Sequence, residues 1–116
     1  MNLNTLKSFK TELESELEEL LNWWIIYVFD EENKCFYGEV DQENHANLSA
    51  PKGLVMHARI LYTFSSAYLL NNNPRYLEIA EIAYHHLKTY FLDTQHGGFY
   101  WSLTAKNIPL DQKKQA

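Results

Sequence analysis

The chain of 116 residues holds one cysteine, Cys35, so no disulfide can form within it. Three prolines and four glycines are too few for a collagen-like or low-complexity chain. The longest apolar run, Trp23 to Phe29, falls far short of the roughly 20 residues needed to cross a bilayer. The opening Met-Asn-Leu-Asn-Thr-Leu-Lys lacks the apolar stretch of a secretory signal, and together with the lone cysteine this leads to the expectation of a cytoplasmic protein. Net charge is −5 with acids and bases interspersed, so no basic block invites a nucleic acid or an anionic membrane, and a neutral substrate is expected. No glycine-rich phosphate loop or nucleotide fingerprint is present. His85 and His86 are adjacent, about 100° apart around a helix, and cannot form the i,i+4 pair of a helical metal site. Neither a metal nor another cofactor is expected.

What the chain does contain is apolar surface: 46% of residues are hydrophobic, enough for one modest domain spanning residues 1–116. Leu3, Leu6, Leu13, Leu17, Leu20, Trp24 and Val28 recur at helical intervals with Lys and Glu between them, which predicts an amphipathic first helix with one wet face. A second helix is expected to start near Ser49-Ala50-Pro51, with Ser49 as cap, and to run to about Leu70. Asn73-Pro74 predicts a sharp start for a third, whose Leu77, Ala80, Tyr84, Leu87 and Phe91 share one face. The class is therefore mainly α.

Asp30 to Val40 can be laid over Asp93 to Leu103 at an offset of 63 residues, matching Asp30 with Asp93, Phe36 with Phe99 and Tyr37 with Tyr100. Each copy reads as a turn followed by a short strand, so the unit is a helix and a strand-bearing loop. Such a repeat argues for stacked or ring-closed helical hairpins. The second copy has Gly97-Gly98 where the first has Lys34-Cys35, so a left-handed turn in the first copy is either strained there or taken over by Asn33, and the placement of Tyr37 depends on which.

Arg59 stands in a helix that otherwise reads as core, and a guanidinium is costly to bury without a partner. Lys52, Met56, Arg59, Thr63 and Ser66 recur at spacings of four and three, forming a stripe that either lines a pocket or simply faces water.

The run Lys52-Gly53, Arg59, Phe64-Ser65, Ala67-Tyr68 resembles the N-acylglucosamine 2-epimerase/cellobiose 2-epimerase family of sugar isomerases. Phe36-Tyr-Gly-Glu-Val-Asp41, Pro74-Arg-Tyr-Leu77 and Gly97-Gly-Phe-Tyr-Trp-Ser102 add three matches in family order, so the resemblance covers nearly the whole chain. It implies the N-terminal part of an (α/α)6 barrel, six helical hairpins closed into a ring, with short β-strand loops. The chain stops at Asp111–Ala116, where the resemblance places the start of a further inner helix, and it is expected to be a fragment of a larger enzyme.

The implied reaction is epimerisation at C2 of a reducing-end aldose, cellobiose-type glucose to mannose, through an enediol. The family's two acid/base histidines lie on later inner helices and match no position here, so the isolated chain is expected to be inactive. Arg59 is the residue the resemblance carries over, holding substrate oxygens or stabilising the enediolate. Tyr37, Tyr100 and Trp101 on the strand loops either stack on sugar rings or fill the strand cores, with Trp101 favoured for stacking. His57 is named as a further substrate contact, against the plainer reading of a hydrogen-bonded histidine between helices.

Three other functions compete: an aldose–ketose isomerase on the same barrel; a glycoside-processing enzyme using loop carboxylates such as Glu39, Asp41 or Asp111; and a non-catalytic assembly fragment. Unpaired apolar helix faces also lead to an expectation of self-association.

Overall fold

The computed structural model describes residues 2–110 and the backbone of Lys114–Gln115. Asp111, one of the candidate carboxylates, lies outside the described residues. Helix α1 spans Leu3–Trp23, capped by Asn2, whose side chain accepts from the Thr5 amide at 2.8 Å. Its first turns carry Leu3, Leu6, Phe9 and Leu13 in solvent, and only from Leu17 and Leu21 onward does the apolar stripe meet the core. Helix α2 spans Leu54–Asn71 and α3 spans Pro74–His86.

The α2–α3 turn follows from three asparagines. Asn72 takes the left-handed conformation (φ 56°) with its N–H on the Tyr68 carbonyl, while the Asn73 side chain accepts from the Arg75 amide and Pro74 opens the helix. The two helices then pack antiparallel through Ile60, Phe64 and Ala67 against Tyr76, Ile79, Ala80 and Ala83, all buried. The alanines let the backbones approach, and the Phe64 and Tyr76 rings meet edge to face at 5.8 Å. This hairpin is the centre of the core.

The 63-residue repeat extends further into the structure than its matching letters. Helix α1 ends in a π-helical turn over Trp24–Val28, and α3 ends in one over Leu87–Phe91. Both close identically, with Phe29 N–H on the Trp24 carbonyl and Leu92 N–H on the Leu87 carbonyl. Asp30 then accepts from the amides of Glu32 and Asn33, and Asp93 from those of Gln95 and His96. Strands β1 (Phe29–Asp30) and β2 (Cys35–Phe36) pair Phe29 with Phe36, and the same offset pairs Leu92 with Phe99. The left-handed residue of the first turn is Lys34 (φ 52°), not Asn33: it aligns with Gly97 (φ 79°), while the Asn33 side chain is engaged with Asp30.

A second correction concerns the start of α2. Asn47 accepts from the Ser49 amide, and Lys52–Gly53 form strand β3, antiparallel to β5 (Ser102–Leu103), so the helix begins only at Leu54 with Gly53 as cap. Pairing with a strand 50 residues away outweighs the local cap signal at Ser49-Pro51. Gly38 permits the close pass of this loop, because a Cβ there would lie 1.9 Å from the Pro51 carbonyl oxygen. Strand β4 (Phe99–Tyr100) pairs with β6 (Lys114–Gln115).

Candidate functional site

Because Leu54 N–H donates to the Trp101 carbonyl at 2.9 Å and Gly53 pairs with Ser102, the loop after β4 is laid against the first turn of α2. This junction brings Trp101, 39% exposed, to one wall of a groove of about 460 Å³ whose other walls are Leu54, Val55, Ala58, Arg59, Tyr62 and Thr63 of α2. Arg59 forms a ridge: on its far side a second cleft of about 220 Å³ runs between α2 and Leu20, Leu21 and Trp24 of α1. The guanidinium is exposed, and no ion pair engages it among the described residues. The premise of a charge inside a core helix is thereby corrected. Arg59 lies on the open face of α2, flanked by apolar side chains and two indoles, with its donors unspent. A planar, polyvalent donor beside an aromatic face suits a polyhydroxylated ring.

The other sequence candidates are not in that groove. Tyr37 lines a separate cavity, with its amide on the Val28 carbonyl, and Tyr100 lies in the β4–β6 pair. Lys52, expected on the Arg59 stripe, is in β3 and only 5% exposed.

His57 is fully buried, 0% exposed, in an aromatic stack. Its ring lies 5.1 Å from His86, 4.9 Å from Phe91 and 5.6 Å from Phe36. Nδ1 meets the Gly53 carbonyl oxygen at 2.8 Å, and since a carbonyl can only accept, Nδ1 carries the proton and Nε2 keeps a lone pair. That Nε2 has no hydrogen-bond partner among the described residues. Burial pushes the His57 pKa down to about 4, so the ring is neutral at pH 7.

The cluster that sequence reasoning missed surrounds His86. Asn107 Oδ1 accepts from Lys52 Nζ at 2.9 Å and lies 3.0 Å from His86 Nε2. With that oxygen already fixed as an acceptor by the lysine, His86 Nε2 must be its second donor. Burial, and then the Lys52 charge, lower the His86 pKa to about 4. Lys52 and Asn107 are 55 residues apart, and no local spacing announces such a contact. Among the described residues, no group of three or more His, Cys, Asp or Glu could hold a metal ion, and no helix is long and apolar enough to cross a membrane.

Comparisons with known proteins bear on this arrangement. Residues 35–116 match the family model of N-acylglucosamine 2-epimerase. The chain is 40% identical over 107 residues to the cellobiose 2-epimerase of Bacteroides fragilis, covering 91% of this chain and 27% of that protein. It is 36% identical over 106 residues to that of Dictyoglomus turgidum, again spanning 27% of it. Among solved structures, the cellobiose 2-epimerase of Spirochaeta thermophila superposes with a TM-score of 0.83 at 39% identity, over 94% of this chain and 27% of that one. A D-mannose isomerase superposes at 0.79 with 25% identity, over 90% and 26%. The chain thus spans about a quarter of these relatives, and helix α1 with the α2–α3 hairpin corresponds to the N-terminal part of an (α/α)6 barrel. With its motifs, its repeated helix–strand unit and these matches in agreement, the chain belongs to the N-acylglucosamine 2-epimerase family.

Proposed function

We propose that this chain supplies one wall of the sugar pocket of a cellobiose 2-epimerase, with Arg59 and Trp101 as its substrate contacts. In this reading a base removes the C2 proton of the open-chain reducing-end glucose, and the C–H electron pair moves through C1 onto the carbonyl oxygen. A proton then returns to C2 from the opposite face, giving the mannose epimer. Arg59 donates to the oxygen that gains charge, where positioned donors contribute about 3 kcal/mol, and Trp101 stacks on a sugar ring.

The observation that carries the proposal is the convergence of Arg59 and Trp101, 42 positions apart in sequence, on one open groove. The chain's own buried histidines are not the acid/base pair: neither reaches that groove, and each has a pKa far below neutrality. In this reading proton transfer belongs to other parts of the whole enzyme, and the chain alone is inactive.

Product analysis of the whole enzyme with cellobiose tests this reading. A glucosyl-mannose product supports it, and a ketose product would move the assignment to aldose–ketose isomerisation. That second reading is favoured by the likeness to a D-mannose isomerase.

A further inference from the structure

A cavity of about 510 Å³ among the described residues is distinct from the Arg59 groove. It lies between the β1–β2 turn, the loop leading into β3 and the C-terminal end of α3, and Lys52, Asn107 and His86 line it. Lys52 is nine-tenths buried, yet among the described residues no carboxylate stands within ion-pairing distance of its ammonium. Its protein acceptors are the neutral Asn107 Oδ1 and the Cys35 sulfur. The neighbouring Cys35 thiol, pushed up by burial, brings no countercharge. A buried ammonium that faces a cavity and has no anion of its own is costly to maintain unless an anion can reach it.

The remaining walls narrow the class of anion. Tyr37, Asn47 and Tyr90 offer neutral polar groups and aromatic surface, which suits hydroxyls. Asp30 also borders the cavity, and Lys34 at the rim already pairs with Glu31. Lys52 neutralises a single negative charge, whereas a dianion such as phosphate would keep a second, unmatched charge in a cavity that Asp30 already borders.

We propose that this cavity binds a small hydroxylated monocarboxylate of the sugar-acid class, its carboxylate on Lys52 Nζ and its hydroxyls on the polar walls. The site is separate from the Arg59 groove and does not depend on the reaction assigned there.

The test is an NMR titration of the ¹⁵N-labelled chain with gluconate, glucose and inorganic phosphate in turn. Gluconate is expected to bind with a Kd of about 1 mM, shifting the Asn107 side-chain amide and the His86 resonances. Glucose should cause no saturating change, and phosphate should bind at least several-fold more weakly. Lys52→Met should weaken gluconate about tenfold or more, as loss of a charge-assisted hydrogen bond implies. The wild-type comparison of the three ligands stands on its own if that variant does not fold. No saturation by gluconate, an equal response to glucose, tighter binding of phosphate, or shifts centred on Arg59 would each overturn the proposal.

Discussion

Acidification should unfold this chain through two buried histidines before its carboxylates begin to matter. His57 and His86 each have a pKa of about 4 in the folded state, against 6.5 when exposed, because burial penalises the imidazolium. Groups facing the pair add to the effect: the Lys52 charge acts on both rings, His85 acts on His86, and His86 opposes a proton on His57. The unfolded chain binds more protons than the folded one between these two pKa values. Stability is therefore fully present above about pH 6.5 and lost as pH falls toward 4. A depression of this size corresponds to about 3 kcal/mol per histidine at roughly 1.4 kcal/mol per unit. Two such contributions rival the 5–15 kcal/mol or so that holds an ordinary domain together.

The assay is urea denaturation at half-unit steps from pH 7.5 to 4, followed by far-UV circular dichroism. The midpoint should fall steeply between pH 6.5 and 4.5. Asp30 and Asp41, whose pKa values are lowered by hydrogen bonds to neighbouring residues, release their own contribution only below about pH 4, so the two effects separate. His86→Gln, which keeps a donor for Asn107, should flatten about half of the slope. A midpoint independent of pH across that window would refute the reasoning.

Three further outcomes are expected. Gly38→Ala should cost about 1–3 kcal/mol because its Cβ would meet the Pro51 backbone, whereas Gly53→Ala, with open space at its Cβ, should be tolerated; paired thermal melts decide. Asp93→Ala removes the acceptor for two amides from a side chain 5% exposed and should destabilise by about 1–3 kcal/mol, more than Asp30→Ala in the more exposed copy of the same turn. Sedimentation of the isolated chain should show concentration-dependent association through Leu3, Leu6, Phe9 and Leu13 of α1, and an ideal monomer at all concentrations would exclude it.

Signals confined to a few neighbouring residues were readable from sequence. Asn73-Pro74 located the start of α3, and the 63-residue offset found the repeated turn and strand, because caps and turns depend on chemistry within four residues. Long-range pairing was not readable. Strand β3 displaced the start of α2 from Ser49 to Leu54, and with it moved Lys52 from the helical stripe into a buried corner. At the site, Arg59 and Trp101 were legible as residue types, but their shared groove depends on β3–β5 pairing that no periodicity encodes. The left-handed turn fell on Lys34 because Asn33 was already bonded to Asp30. His57 stands two positions before Arg59, which turns its side chain by roughly 200° around the helix, away from the groove and into the core, as the plainer reading of a hydrogen-bonded histidine between helices requires.

The most direct test of the Arg59 assignment is deuterium incorporation at C2 of cellobiose in D2O by the whole enzyme, measured for the wild type and for Arg59→Ala and Arg59→Lys, with the melting temperature taken on the same preparations. Arg59→Ala should lower kcat about 10²–10³-fold at an unchanged melting temperature, since the side chain is exposed and makes no ion pair among the described residues. Arg59→Lys should recover only part of the loss, because a point charge does not reproduce the planar fork. Wild-type exchange in Arg59→Ala, or a loss that merely tracks a lower melting temperature, would contradict the account.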